Sequence, residues 1–359
     1  MEQDQALAAK VRLQSLGARV PASPRVRCGG AGPSEGINIS MGGLAATVPT
    51  GAWYVERSPF SVEERADGTW ELVEDGRALG AVEMADEPLF YSRRAPDGTP
   101  FGMLAVRHGA DAIGSTVAQW CARGTDACGF CGIALTRDRG ETVARKDPGS
   151  LGLVARAAGE EGYTHAVLTT GTTSVEDAGI GLLTECATAI AEVSDIDVHV
   201  QFEPPEEPSY IRSAARVAVS AAVNIESFDA DTLARVAPAK HAAGLDRYVD
   251  AWKESVEQFG AGQVTSFIIV GLGESRQSVL EGCRLLTSLG VYPFVLPLRP
   301  IPGTPLGGLA PPPPDAMTSI YEDASKIIAS AGLSASDCLA GCVRCGVCSA
   351  ITQWGQRSQ

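Results

Sequence analysis

Short apolar runs alternate with longer stretches of helical period through the middle of the chain. The runs fall at Met103–Val106, Ala166–Thr170, Val198–Phe202, Val223–Glu226, Thr265–Val270 and Tyr292–Leu298. Between them, Ser174–Val193, Asp246–Phe259 and Ser275–Leu289 carry apolar residues at helical spacing. This strand–helix repeat predicts an α/β fold with a parallel sheet and right-handed crossovers. Six units suit a partial (βα)6 TIM-like barrel, although an open doubly wound sheet gives a similar pattern. In either architecture an active site belongs at the C-terminal ends of the strands.

The repeat occupies residues 105–310. Residues 1–104 read as a β-rich, irregular region, with short runs such as Thr69–Val73 separated by Gly, Asp and Pro turns. Residues 311–359 open on the stiff stretch Pro311–Pro314. A helix over Asp315–Ala331, a cysteine-rich segment and a loose tail at Trp354–Gln359 are expected after it. The glycine-rich stretch Cys28–Pro33 lacks the Lys-Ser/Thr of a phosphate-binding loop and reads as a plain loop.

The formal net charge of −14 argues against nonspecific binding to nucleic acid or anionic membrane. No run of about 18 apolar residues suggests a transmembrane helix. The polar start Met1-Glu-Gln-Asp-Gln has no apolar signal core behind it, so a cytoplasmic protein is expected. A reducing compartment disfavours disulfides, which leaves ten cysteines to explain. Cys186 and Cys283 sit in helical patterns and read as small buried hydrophobes.

Seven cysteines fall in two knots. Cys121, Cys128 and Cys131 lie in one short run after the first expected strand. Three thiolates can hold three irons of a [4Fe–4S] cluster and leave the fourth iron open for chemistry. Zinc is the competitor, but no Cys or His follows Cys131 until His165, whereas zinc sites normally show a second ligand pair nearby. Phe130, beside the third cysteine, is placed to shield a cluster from water. The second knot is Cys338-x3-Cys342-x2-Cys345-x2-Cys348. Its packed spacing resembles a ferredoxin-type run more than two separated zinc knuckles. An auxiliary [4Fe–4S] cluster with Cys338 as a possible fourth ligand is expected there.

With these motifs in view, the chain resembles a radical S-adenosylmethionine (SAM) enzyme of the biotin and lipoyl synthase branch. Cys128-Gly-Phe-Cys131-Gly matches the end of the family's cysteine motif. Ile269-Val-Gly-Leu-Gly-Glu274 resembles its fifth-strand glycine motif, and Arg299–Leu306 its sixth-strand ending. Further segments, including Arg145-Lys-Asp-Pro148, Val198–Pro205, Glu226-Ser-Phe-Asp229 and Cys342–Cys348, resemble an uncharacterised subgroup commonly encoded beside a nitrilase. One departure is the six residues between Cys121 and Cys128, where three are usual; the subgroup shares long spacing there.

The resemblance implies a SAM-binding [4Fe–4S] cluster on Cys121, Cys128 and Cys131, SAM on the open iron, and a 5′-deoxyadenosyl radical that abstracts hydrogen from a small-molecule substrate. It also implies a low-potential electron donor such as flavodoxin or ferredoxin. Thr170, Gly171 and Thr172 occupy the second-strand position that meets the SAM amino group, and Gly271 lies near the adenine. Glu203, Asn224 and Glu226 are candidates for the SAM ribose. Arg247 and Lys240 are candidates for its carboxylate, with a solvated helix face the competing account. Arg299 is a candidate for a substrate anion. His165, His199 and His241 read as core or surface histidines rather than ligands. The alternative function is a non-catalytic iron–sulfur or zinc protein that carries electrons or serves as a scaffold.

Overall fold

The computed structural model describes residues 1–21 and 36–357. The glycine-rich stretch Cys28–Pro33 lies outside them. Residues 37–84 form a five-stranded antiparallel sheet of β1 (Ile37–Met41), β2 (Leu44–Val48), β3 (Phe60–Glu64), β4 (Trp70–Glu74) and β5 (Arg77–Met84), in the order β2-β1-β5-β4-β3. The β-rich expectation is met there. The helix Gln3–Leu16, which no sequence pattern announced, packs on this sheet through Ala6, Ala9 and Leu13.

The second sheet holds β6 (Val106–Arg107), β7 (Ala112–Thr116), β8 (His165–Thr169), β9 (Asp197–Phe202), β10 (Ser220–Val223), β11 (Val264–Val270) and β12 (Val291–Pro297). Its strands lie side by side in chain order. β7 to β12 run parallel, and β6 is antiparallel to β7. Sequential order without a reversal has no topological switch point, so the winding is that of a half-barrel and not of a doubly wound sheet.

Five of the six expected strands fall where the periodicity placed them, to within about three residues at either end. The first is corrected. Phe101–Leu104 is a helical turn, and the first parallel strand is Ala112–Thr116. Its sequence, Ala-Ile-Gly-Ser-Thr, hides a buried strand behind a glycine and two hydroxyls. Ser115 is buried because its Oγ donates to the Leu104 carbonyl at 2.6 Å. The expected loose tail is also corrected: Ile351–Arg357 is a helix, and Trp354 stacks on Tyr321 with ring centroids 5.9 Å apart.

Side chains alternate across the parallel strands. Leu168, Val198, Val200, Ala221, Val264 and Ile268 are fully or almost fully buried. Val167, Gln201, Phe267 and Leu296 share the opposite, concave face and line one cavity. The N-terminal sheet covers the open side of this half-barrel: Arg299 donates to the Thr47 carbonyl at 3.1 Å, and Thr47 N donates to Val347 O at 3.0 Å.

Candidate active site

Cys121, Cys128 and Cys131 lie on the long loop that leaves β7 at the C-terminal mouth of the half-barrel, and all three are free thiols. Neighbouring loops hold this loop on several sides. Ala122 N donates to Thr172 O at 2.8 Å, Gly129 N to Val236 O at 2.7 Å, and Leu306 N to Gly129 O at 2.9 Å. The approach to the second loop is so close that a Cβ on Gly171 would sit 1.8 Å from the Trp120 carbonyl oxygen. Glycine at 171 is therefore a steric requirement. Phe130 packs half-buried against the core, beside Cys128.

A cluster of charges forms the floor of the mouth. Arg123, on the cysteine loop, pairs with Glu203 at the end of β9 at 2.7 Å. Lys240 is buried and lies 3.3 Å from Glu226 and 4.0 Å from Glu203. Its ammonium also donates to the Asn224 carbonyl. Burial pushes the Glu203 carboxyl up, but Lys240 and Arg123, with a hydrogen bond from Thr172, hold it below the usual carboxylate range. Glu226 stays above that range because burial outweighs Lys240. Lys240 itself is raised well above an ordinary lysine: burial works against its charge, but Tyr248, Glu226, Glu203 and Cys128 all favour it. Burial pushes the Cys128 thiol up to about 12, with Lys240 opposing.

Glu226 carries two marks of a built site. Its φ is 76°, a left-handed conformation that costs a non-glycine residue about 1–3 kcal/mol. Its buried Oε2 has no hydrogen-bond partner among the described residues. Buried carboxylate oxygens are normally paired.

The other expected contacts gather around the same mouth. Asn224 Oδ1 accepts from Phe267 N at 3.1 Å and so braces β11. Arg247 donates to Pro204 O at 3.1 Å, beside Glu203. Gly271, with φ 107°, begins a turn whose amides at 271 and 272 donate to the Glu274 carboxylate, both at 2.8 Å. Sequence reasoning missed Arg123 and Glu274 and left Lys240 undecided. The signal for Arg123 was its place between two cysteines, in the gap longer than usual.

The second knot lies at the opposite, N-terminal end and plugs the half-barrel from below. The Ser220 hydroxyl donates to Ala340 O at 3.2 Å, and Gly341 packs so tightly on His199 that a Cβ would stand 2.5 Å from the ring. Cys342 and Cys348 line the interior cavity, of about 70 Å³, together with Gln201, Phe267, Arg299 and His108. Arg299 therefore shares this cavity with two cysteines of the second knot.

His199 is a buried core residue with Nδ1 2.8 Å from Ser220 Oγ, and burial lowers its pKa to about 3. His165 is buried, 3.9 Å from Asp111; burial lowers its pKa to about 4 although Asp111 opposes. His241 is exposed. Cys186 and Cys283 are buried free thiols, as expected.

Among the described residues no three Cys, His, Asp or Glu side chains converge closely enough to hold a single metal ion. Structural zinc requires such convergence, with sulfurs at about 2.3 Å from one ion. An iron–sulfur cluster takes each thiolate on a different iron, so its sulfurs stand further apart. No helix among the described residues is long and apolar enough to cross a membrane.

No protein-family model matches the chain. A 106-residue stretch is 33% identical to bacteriochlorophyllide c C-7(1)-hydroxylase of Chlorobaculum limnaeum; it covers 29% of this chain and 26% of that protein. Among solved structures, a radical SAM methyltransferase from Sphaerobacter thermophilus is 18% identical, with a TM-score of 0.47 over 77% of this chain and 75% of its own. Methylornithine synthase is 15% identical, with a TM-score of 0.47 over 61% and 62%. Coproporphyrinogen III oxidase from Escherichia coli, a radical SAM enzyme, is 12% identical, with a TM-score of 0.39 over 57% and 50%. The solved structures similar to this chain thus include radical SAM enzymes.

Proposed function

We propose that this chain is a radical SAM enzyme acting on a small molecule held inside the half-barrel. The observation that carries the reading is the juxtaposition of three free cysteines with Glu226, whose buried Oε2 is unpartnered. Cys121, Cys128 and Cys131 hold the first [4Fe–4S] cluster. With SAM and one electron from an external donor, that cluster would supply the radical chemistry that takes hydrogen from the substrate, methionine leaving.

The chain's own residues do the positioning. Glu226 accepts from a SAM ribose hydroxyl, which satisfies its orphaned oxygen. Glu203, kept ionised by Arg123 and Lys240, is the second acceptor at that position. The loop Thr170-Gly171-Thr172 bounds the SAM amino group, Gly271 the adenine, and Asn224 and Arg247 complete the wall. Phe130 keeps water from one side of the cluster. The cavity beneath, with apolar Val167, Phe267 and Leu296 and polar Gln201 and Arg299, takes the substrate. Cys342, Cys345 and Cys348 hold an auxiliary [4Fe–4S] cluster at its base. A flavodoxin or ferredoxin supplies electrons.

The test is anaerobic reconstitution with iron and sulfide. Wild-type protein should carry two clusters, and the Cys121→Ala/Cys128→Ala/Cys131→Ala variant one. With dithionite and SAM, the wild type should release 5′-deoxyadenosine and the variant none. A fully clustered wild type that does not cleave SAM overturns the reading in favour of an electron carrier. Colourless protein containing zinc overturns it in favour of a structural metal.

A further inference from the structure

The second knot offers four cysteines in sequence, but the fold does not bring the four together. Cys338 Sγ donates to Gly262 O at 3.0 Å, below β11 and beside Tyr292, and it does not line the cavity. It therefore lies against the Gly262 turn, away from the 108–109 segment. The other three turn toward a different place. Cys342 and Cys348 face the cavity, and Cys345 lies against the 108–109 backbone, where its Sγ is 3.5 Å from His108 O. At Gly109, with φ 88°, a Cβ would come within 2.5 Å of the Cys345 sulfur. Glycine there lets the segment before β7 close on the knot.

That segment delivers a histidine. His108 is buried at 2% exposure, lines the same cavity as Cys342 and Cys348, and places Nε2 3.9 Å from Cys342 Sγ. It is 230 residues from the knot, so no spacing rule could have included it. On the reading that the second knot holds a cluster, we propose that its fourth protein ligand is His108 Nε2, and that Cys338 is not a ligand. Imidazole ligates as the neutral tautomer, with its proton on Nδ1. Replacing a thiolate by a neutral ligand leaves the cluster one negative charge poorer, which raises its reduction potential relative to four-cysteine ligation. The buried Lys10 Nζ donates to Gly346 O at 2.6 Å on the other side of the knot.

The Cys121→Ala/Cys128→Ala/Cys131→Ala chain isolates this cluster for spectroscopy. After reconstitution and reduction, protein labelled with 15N-histidine should show strong nitrogen hyperfine coupling by pulsed electron paramagnetic resonance. Cys338→Ala in the same background should keep its iron content and spectrum. His108→Cys should keep four irons, lose the nitrogen coupling and titrate at a more negative potential. A cluster without histidine coupling, or one lost with Cys338→Ala and untouched by His108→Ala, overturns the assignment and leaves the two-cluster reading standing. Absence of iron from the isolated second knot, while Cys342→Ala/Cys345→Ala/Cys348→Ala protein still builds the first cluster, overturns both the auxiliary cluster and its histidine ligand.

Discussion

Arg123 and Glu203 meet at 2.7 Å, joining the cysteine loop after β7 to the end of β9. The pair is largely withdrawn from solvent, so it is worth more than an exposed ion pair. Arg123→Ala should leave Glu203 with Lys240 as its remaining cation. We expect SAM affinity to fall about tenfold, which corresponds to about 1.4 kcal/mol. Equilibrium dialysis on the reconstituted protein measures this, with Arg123→Lys giving partial recovery. Unchanged affinity would make the pair purely structural.

Lys240 holds two carboxylates within 4.0 Å while itself buried. Removing one partner of such a set costs about 3–5 kcal/mol. Lys240→Met should therefore lower the denaturation midpoint strongly. Adding Glu226→Gln should restore part of the loss, because it removes the stranded charge. A double-mutant cycle in urea reads the coupling; additive losses would show that the two do not interact.

Gly171→Ala tests how tightly the mouth is assembled. With a Cβ 1.8 Å from Trp120 O, backbone must move. A cost of about 2–4 kcal/mol is expected, as for other forced backbone shifts. Thermal denaturation should show it, together with reduced iron content. Gly308, whose Cβ would meet nothing within 4 Å, is the matched control and should tolerate alanine with little change.

Stability should depend on pH through His165 and His199. Their folded pKa values, about 4 and about 3, lie below the unfolded value of about 6.5. The folded state thus prefers neutral imidazole, and the unfolded chain takes up protons first. The contribution is complete above pH about 6.5 and is lost as pH falls toward 3. The groups facing His165 are Asp111 and Arg344; Ser220 and His165 face His199. Urea midpoints between pH 7 and 5 should decline, and His199→Gln should flatten the slope. An unchanged slope would place the acid sensitivity elsewhere.

Most of the half-barrel was legible because buried parallel strands read as apolar runs, and five of these are obvious. Ala112–Thr116 was not, since its hydroxyls are satisfied by partners distant in sequence, such as Leu104 O for Ser115. The three mouth cysteines were legible as a motif. Arg123 and Lys240 were not, because a lone basic residue reads the same whether it meets water or Glu203. His108 is the extreme case: only the closure of the barrel base brings it to Cys342.

Gly129 is bonded on one side to Val236 and on the other to Leu306. The sheet is open, yet the backbone runs as a hoop around its mouth, from the first unit to the fourth and the sixth. Whatever orders the cysteine loop also tightens the far edge at β12. Iron loading should therefore slow amide exchange at Leu306 as well as at Gly129. On the proposed function, assembly of the cluster and ordering of this hoop would be thermodynamically coupled.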